Sequence, residues 1–334
     1  MGAKLSLLAQ TSPSIGIFSY IDILQEVHYI SQLNSSKFLK TCKALDPNGE
    51  IIVKVFIKPN EEFTKQFSLI IKRIQKQQIK LAKSCSVLNY SKIVDSKRAI
   101  YLIRQHLKGN LYDRLSLRPY LHPIELKFIT FQILKVINEI HELDIVHGDL
   151  KTENILINSW NWIVITDFAS LIKPVYLPED NPSEFTFYFD TSKRRSCYLA
   201  PERFNSKLYS EINSDIMSSI SDSKNFHVTK EMDTFSVGCC IAELFLDKFL
   251  YDLLPVFGVP LFNLSQLFKY KNNEYDPYQF LIDNIPRLDI STKGEISKDK
   301  DTVELLLNDT NTNMISNDDR KQICNLIMDM IHID

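Results

Sequence analysis

Residues 145–169 constrain this chain more than any other stretch. Ile145-Val146 leads into His147-Gly148-Asp149-Leu150-Lys151-Thr152-Glu153-Asn154, which ends in Ile155-Leu156. A second apolar run, Ile163-Val164-Ile165, ends in Thr166-Asp167-Phe168-Ala169. Three more pieces keep a fixed order around them. Ile51-Ile52-Val53-Lys54-Val55-Phe56 lies upstream, and Tyr198-Leu199-Ala200-Pro201-Glu202 and Asp233-Thr234-Phe235-Ser236-Val237-Gly238 lie downstream. Each piece alone is weak, because polar residues of these kinds also form turns and caps. Five together, in this order, form a strong signal.

Composition narrows the setting. At roughly 100–200 residues per domain, 334 residues make two or three domains or one two-lobed unit. Apolar residues make up 44% and charged residues 24%, which is ordinary globular material. The net charge of −2 excludes a globally basic nucleic-acid binder, so no nucleic-acid partner is expected. Cys42, Cys85, Cys197, Cys239, Cys240 and Cys324 form no Cys-x-x-Cys pair, so zinc and thioredoxin-like spacings are missing. Reduced thiols in a cytosolic protein are expected. No uninterrupted apolar run of about 18 residues predicts a membrane span, and residues 1–12 are too weakly apolar for a secretory signal.

Three β-rich segments fill residues 25–57, and Asp46-Pro47-Asn48-Gly49 marks a turn between the last two. Residues 61–83 read as a helix with Phe63, Phe67, Ile70, Ile71, Ile74 and Leu81 on one face. Strands are expected around Ser86–Ile93 and Ala99–Gln105. A long helix follows over Pro123–Leu143, with Leu126, Ile129, Phe131, Ile133, Leu134, Ile137 and Ile140 at helical spacing. Residues 206–230, with seven serines, and the polar stretch 286–319 read as surface insertions.

The five pieces together resemble the eukaryotic protein-kinase fold over about residues 25–334. That resemblance implies an α+β, two-lobed architecture with a β-rich small lobe and a helical large lobe. It divides the chain into an N-terminal extension (1–24), a small lobe (25–105) and a large lobe (106–334) that ends before its last elements. It also implies phosphoryl transfer from ATP, with GTP as the other nucleotide, to protein serine or threonine. Asp149 would accept the hydroxyl proton, and Lys151 would neutralise charge on the transferring group. Asn154 and Asp167 would hold Mg²⁺ through one neutral and one anionic oxygen. Lys54 would contact the α- and β-phosphates. The backbone near Gln105–Leu107 would meet adenine. Leu33, Ser35 and Ser36 fall where a loop should cover the phosphates.

Departures from that pattern are as informative. The covering loop should read Gly-x-Gly-x-x-Gly, but Gln32-Leu33-Asn34-Ser35-Ser36-Lys37-Phe38 holds no glycine, in a chain with 8 glycines in all. Missing Cβ atoms are what allow backbone to approach phosphate closely. The family's Asp-Phe-Gly turn has become Asp167-Phe168-Ala169, and the arginine before the catalytic aspartate has become Gly148. No acid lies between Glu62 and Asp95 to pair with Lys54 from the helix. Glu62 is early for that role, which leaves Asp167 or a nucleotide as alternative partners. The same catalytic groups thus suit two readings, a slow kinase or a nucleotide-binding scaffold with little transfer.

Met1-Gly2-Ala3-Lys4-Leu5-Ser6 fits the pattern for an N-myristoyl group on Gly2. One such chain binds membrane only marginally. With the glycine-free loop and the run Ser159–Ala169, this start closely resembles the vacuolar protein sorting 15 family. These are myristoylated, kinase-like regulatory subunits of class III phosphatidylinositol 3-kinase. The resemblance implies that the chain recruits and activates that lipid kinase with its accessory subunits, in protein sorting and autophagy. It implies a cytoplasmic protein, peripheral on endosomal, Golgi and vacuolar membranes. It also implies that the abrupt C-terminus belongs to a longer protein. Lys72, Lys76, Lys80 and Lys83 share one face of the 61–83 helix. A solvated face is favoured there, with anionic lipid or an acidic partner as the alternatives.

Overall fold

A computed structural model describes residues 17–33, 39–58, 61–179, 181–189, 197–214 and 227–246, with Gln322, Leu326, Asp329 and Met330. The small lobe is a five-stranded antiparallel sheet in the order β1-β2-β3-β5-β4. Its strands are β1 (His28–Gln32), β2 (Lys40–Asp46), β3 (Gly49–Ile57), β4 (Lys92–Asp95) and β5 (Ala99–Gln105). The expected turn joins β2 to β3. Asp46 Oδ1 accepts the Asn48 N–H at 2.8 Å, and Gly49 takes φ +129°, a conformation that suits glycine.

β3 is apolar along most of its length because both of its faces are covered. Ile51, Val53 and Val55 join Cys42, Ala44, Ala99, Tyr101 and Ile103 in one cluster beneath the short helix α1 (Phe18–Ile21). The expected boundary at residue 24 therefore cuts through a packed unit. Ile17, Tyr20, Ile21 and Leu24 belong to this core, and the Tyr101 hydroxyl donates to the Tyr20 carbonyl at 2.9 Å. Alternate strand residues share a face. Lys54 pairs in register with Leu102, and Ile52 with Arg104. Lys54 and Arg104 thus sit diagonally on the opposite, cleft-side face.

Helix α2 (Glu61–Leu81) buries Ile71, Ile74 and Leu81 and exposes Lys72, Arg73, Lys76 and Lys80. Phe63 and Phe67 carry side chains outside the described residues. The strand expected at Ser86–Ile93 is displaced. Val87 forms an isolated bridge to Ile165, and regular pairing starts at Lys92.

The large lobe contains α3 (Leu111–Ser116), α4 (Pro123–Glu142), the hairpin β6–β7 (Ile155–Ile157 and Ile163–Ile165), α5 (Pro182–Tyr188), α6 (Ser206–Ser214) and α7 (Lys230–Leu246). His122 and Glu125 form a capping box at the start of α4, with Pro123 at the first helical position. Ile129, Ile133, Val136, Ile137 and Ile140 pack with Val237, Cys240, Ile241 and Leu244. Phe131 does not join them and is 63% exposed. Two residues on from Ile129 is about 200° of helical rotation, which turns it to the far face.

The serine-rich stretch from 206 begins as a helix rather than a loop. Asn205 Oδ1 accepts the Leu208 N–H at 3.0 Å and caps it. Residues 215–226, and the predicted insertion at 286–319, lie outside the described residues.

Candidate active site

The catalytic loop hangs from Asp233 on α7. Its buried carboxylate accepts the N–H of His147 at 2.5 Å and of Gly148 at 2.9 Å, and lies 3.3 Å from His141 Nε2. Gly148 has φ +80°, and a Cβ there would stand 2.8 Å from Ser170 Cα. In this conformation the arginine of the family pattern would be strained and would collide with Ser170. The glycine is therefore a steric requirement as well as a lost charge. His147 ties the two polar clusters together. Its carbonyl accepts the N–H groups of Ala169 and Ser170 at 2.8 and 3.0 Å, and its Nε2 lies 2.9 Å from the Thr166 carbonyl. Burial pushes the His147 imidazole down, so a neutral ring is favoured.

Asp149 is almost fully buried, and it is not open to an incoming hydroxyl. Lys173 Nζ lies 2.5 Å from its Oδ2, and Lys151 Nζ lies 4.0 Å away. Burial alone would raise the Asp149 carboxyl, but Lys151 and Lys173 outweigh it and hold it below the usual carboxylate range. Burial pulls the Lys173 ammonium down to about 8, even with Asp149 beside it. Lys151 donates to the Phe189 carbonyl at 3.2 Å. The Asn154 side-chain amide donates to the Asp149 carbonyl at 2.7 Å, so the catalytic loop closes on itself.

Asp167 takes φ +68°, a left-handed conformation that Asp adopts more readily than most side chains. Lys54 Nζ lies 2.9 Å from Oδ1. Arg104 grips the same carboxylate with two bonds, Nε to Oδ1 at 3.1 Å and Nη2 to Oδ2 at 3.2 Å. Burial would raise this carboxyl, but Arg104 and Lys54 drive it far below the usual range. Burial lowers the Lys54 ammonium, partly offset by Asp167. Arg104 Nη1 also donates to the Gln105 carbonyl at 3.2 Å, a hinge acceptor that the sequence offers to adenine.

Asn154 and Asp167 are the oxygen types that a magnesium ion takes, and in this arrangement the Asp167 carboxylate is already paired. Both Asp167 oxygens are held by cations. No group of three or more His, Cys, Asp or Glu side chains among the described residues gathers as a metal site.

The described parts of the segment between Asp167 and Glu202 are tied to the catalytic loop. Arg203, 2% exposed, donates to the carbonyls of Gly148 at 2.6 Å, Pro174 at 2.8 Å and Val175 at 2.9 Å. It ties the start of the segment to the catalytic loop. Lys173 and Arg203 both lie over the Phe189 ring, at 4.8 and 5.0 Å from its centroid. Phe185, Phe187, Tyr188 and Phe189 share one apolar cluster with Phe56 and Ile71 and with Ile100 and Leu102 of the small lobe.

Five expected site residues, Lys54, Asp149, Lys151, Asn154 and Asp167, are thus brought to one cleft. Lys54 takes Asp167, one of the alternatives the sequence leaves open; the Glu62 side chain lies outside the described residues. Leu33 ends β1 by donating its N–H to the Thr41 carbonyl at 2.9 Å. Ser35, Ser36 and Gly2 lie outside the described residues. Sequence reasoning missed Arg104, Lys173 and Arg203. Arg104 left a trace as the one charge in the run Ala99-Ile100-Tyr101-Leu102-Ile103-Arg104. Lys173 left none, since only the path of the chain brings it to Asp149.

The protein kinase domain family matches residues 35–274. The chain is 62% identical over 291 residues to the serine/threonine-protein kinase VPS15 of Saccharomyces cerevisiae, covering 87% of this chain and 19% of that one. It is 38% identical over 269 residues to the protein of the same name from Arabidopsis thaliana, covering 79% of this chain and 16% of that one. It is 57% identical over 299 residues to a non-specific serine/threonine protein kinase of Candida glabrata, covering 90% of this chain and 19% of that one. The chain therefore spans about a fifth of the length of these relatives. With its two lobes and its gathered Lys54, Asp149, Asn154 and Asp167, the chain belongs to the protein kinase family and, within it, to the kinases named VPS15.

Proposed function

We propose that this chain is a serine/threonine kinase-like regulatory module that binds ATP or GTP and serves a class III phosphatidylinositol 3-kinase. The observation that carries the reading is the convergence of Lys54, Asp149, Lys151, Asn154 and Asp167 on one cleft. The relatives' names support kinase chemistry. The Met1–Ser6 pattern supports an acyl group on Gly2 and a peripheral place on endosomal, Golgi or vacuolar membranes. Recruitment and activation of the lipid kinase and its accessory subunits, in sorting and autophagy, rest on family resemblance.

In phosphoryl transfer Asp149 would take the hydroxyl proton, a contribution of about 10²–10⁴-fold for a positioned base. Lys173 occupies that carboxylate and must swing away first. The second reading, a scaffold with little or no transfer, draws on the same contact and on the Arg104 grip of Asp167. Incorporation of labelled phosphate into the protein separates the two. Under the kinase reading wild type is slow, Lys173→Ala is faster and Asp149→Asn is silent. Background incorporation in all three would leave the scaffold.

A further inference from the structure

Among the described residues, the ion pairs of the cleft hold more cations than carboxylates. Lys54, Arg104, Lys151 and Lys173 surround Asp149 and Asp167 within ion-pair distance. Four cations against two carboxylates leave an excess of two positive charges. That is the charge a divalent cation would bring to a nucleoside triphosphate. The excess is built into the fold. Lys54 and Arg104 project from neighbouring strands onto the same face, and Arg104 is 7% exposed. A guanidinium offers a rigid fork that suits carboxylate and phosphate oxygens alike. Asp167, the residue that should hold the metal, instead holds that fork with both oxygens. Magnesium sheds water reluctantly and needs near-octahedral oxygen ligands. It would have to displace two buried ion pairs to reach this carboxylate.

We propose that Arg104 stands in for the divalent cation, so that this cleft binds a nucleoside triphosphate without magnesium. Together with Lys54, Lys151 and Lys173, Arg104 supplies the positive excess that the metal supplies in a catalytic kinase. Asp167 then acts as the anchor that aims Arg104 and Lys54 rather than as a metal ligand. This rests on the nucleotide-binding reading above, so its test must separate the two.

The full chain is titrated with ATP, and separately with GTP, by calorimetry in excess EDTA and again in excess magnesium. The expected result is a dissociation constant in EDTA within about threefold of that in magnesium. In Arg104→Met the affinity in EDTA should fall at least tenfold, and magnesium should restore part of it. Arg104→Lys keeps a charge but loses the fork, and should fall between the two. Circular dichroism confirms that each variant is folded. Wild type that binds only with magnesium would overturn the role of Arg104 and leave nucleotide binding intact. So would a well-folded Arg104→Met whose affinity in EDTA matches wild type. No binding of either nucleotide under either condition would overturn the nucleotide-binding reading and this inference together.

Discussion

Two sets of buried acids in this molecule are held in opposite ways. Asp233 receives two backbone N–H groups from His147 and Gly148, fixed in place by the loop they belong to. Asp149 and Asp167 receive the ends of long side chains, Lys173 for one and Lys54 and Arg104 for the other. Backbone donors cannot leave without refolding the loop. Lysine and arginine ends leave by rotating a few bonds and regain side-chain entropy, at the cost of leaving a buried carboxylate with fewer partners. The contrast separates a strut from a switch: Asp233 sets the shape of the catalytic loop, whereas Asp149 is held by the end of a lysine.

Several substitutions can break this contrast. Asp233→Ala strands two buried donors and should cost about 3–5 kcal/mol, read from the denaturant midpoint. If Lys173→Met costs as much, the distinction between strut and switch collapses. Gly148→Ala should cost about 1–3 kcal/mol, because φ +80° disfavours a side chain and the Cβ meets Ser170. A variant as stable as wild type would mean that the loop can take another shape.

The pH dependence of Lys173 sharpens the comparison. The Lys173 ammonium should titrate near 8, against an ordinary value of 10.5. Between those values the unfolded chain binds more protons, so this group's contribution to stability grows as pH rises and is constant below 8. The Cε resonance of labelled lysine reports the midpoint directly. Asp149→Asn removes the attraction that retains the proton and should move the midpoint below 8. An unchanged midpoint would mean that the two groups are not coupled. The smallest effect is expected at Trp160, which is 77% exposed. Trp160→Ser should change stability by less than about 0.5 kcal/mol.

Much of the site was legible because its acids and their loop lie close together in sequence. His147 to Asn154 and Thr166 to Ala169 carry both polar clusters, and the β-branched runs beside them are strands. The partners of those acids were not legible. Arg104 arrives from β5, and Lys173 arrives by a turn of the segment after Asp167. Neither spacing encodes the meeting. Gly148 shows the other limit. Sequence alone reads it as an absent arginine, whereas its φ and the nearness of Ser170 appear only in three dimensions. In the fold, the β-rich runs at β3 and β5 were legible as strands. Phe131 misled because it lies among apolar neighbours but not on their stripe, and Ser206–Ser214 misled because the cap at Asn205 outweighs a serine-rich composition.

Helix α5 brings Phe185, Phe187 and Tyr188, with Phe189 just beyond it, into the same apolar cluster as Phe56, Ile71, Ile100 and Leu102. Each ring so buried is worth about 1.5–3 kcal/mol. The lobes cannot part without wetting those rings, and the helix cannot unwind without loosening the lobes. Cleft width and the order of residues 182–189 are therefore a single variable. A protease target placed in that segment becomes a gauge of how far apart the lobes stand.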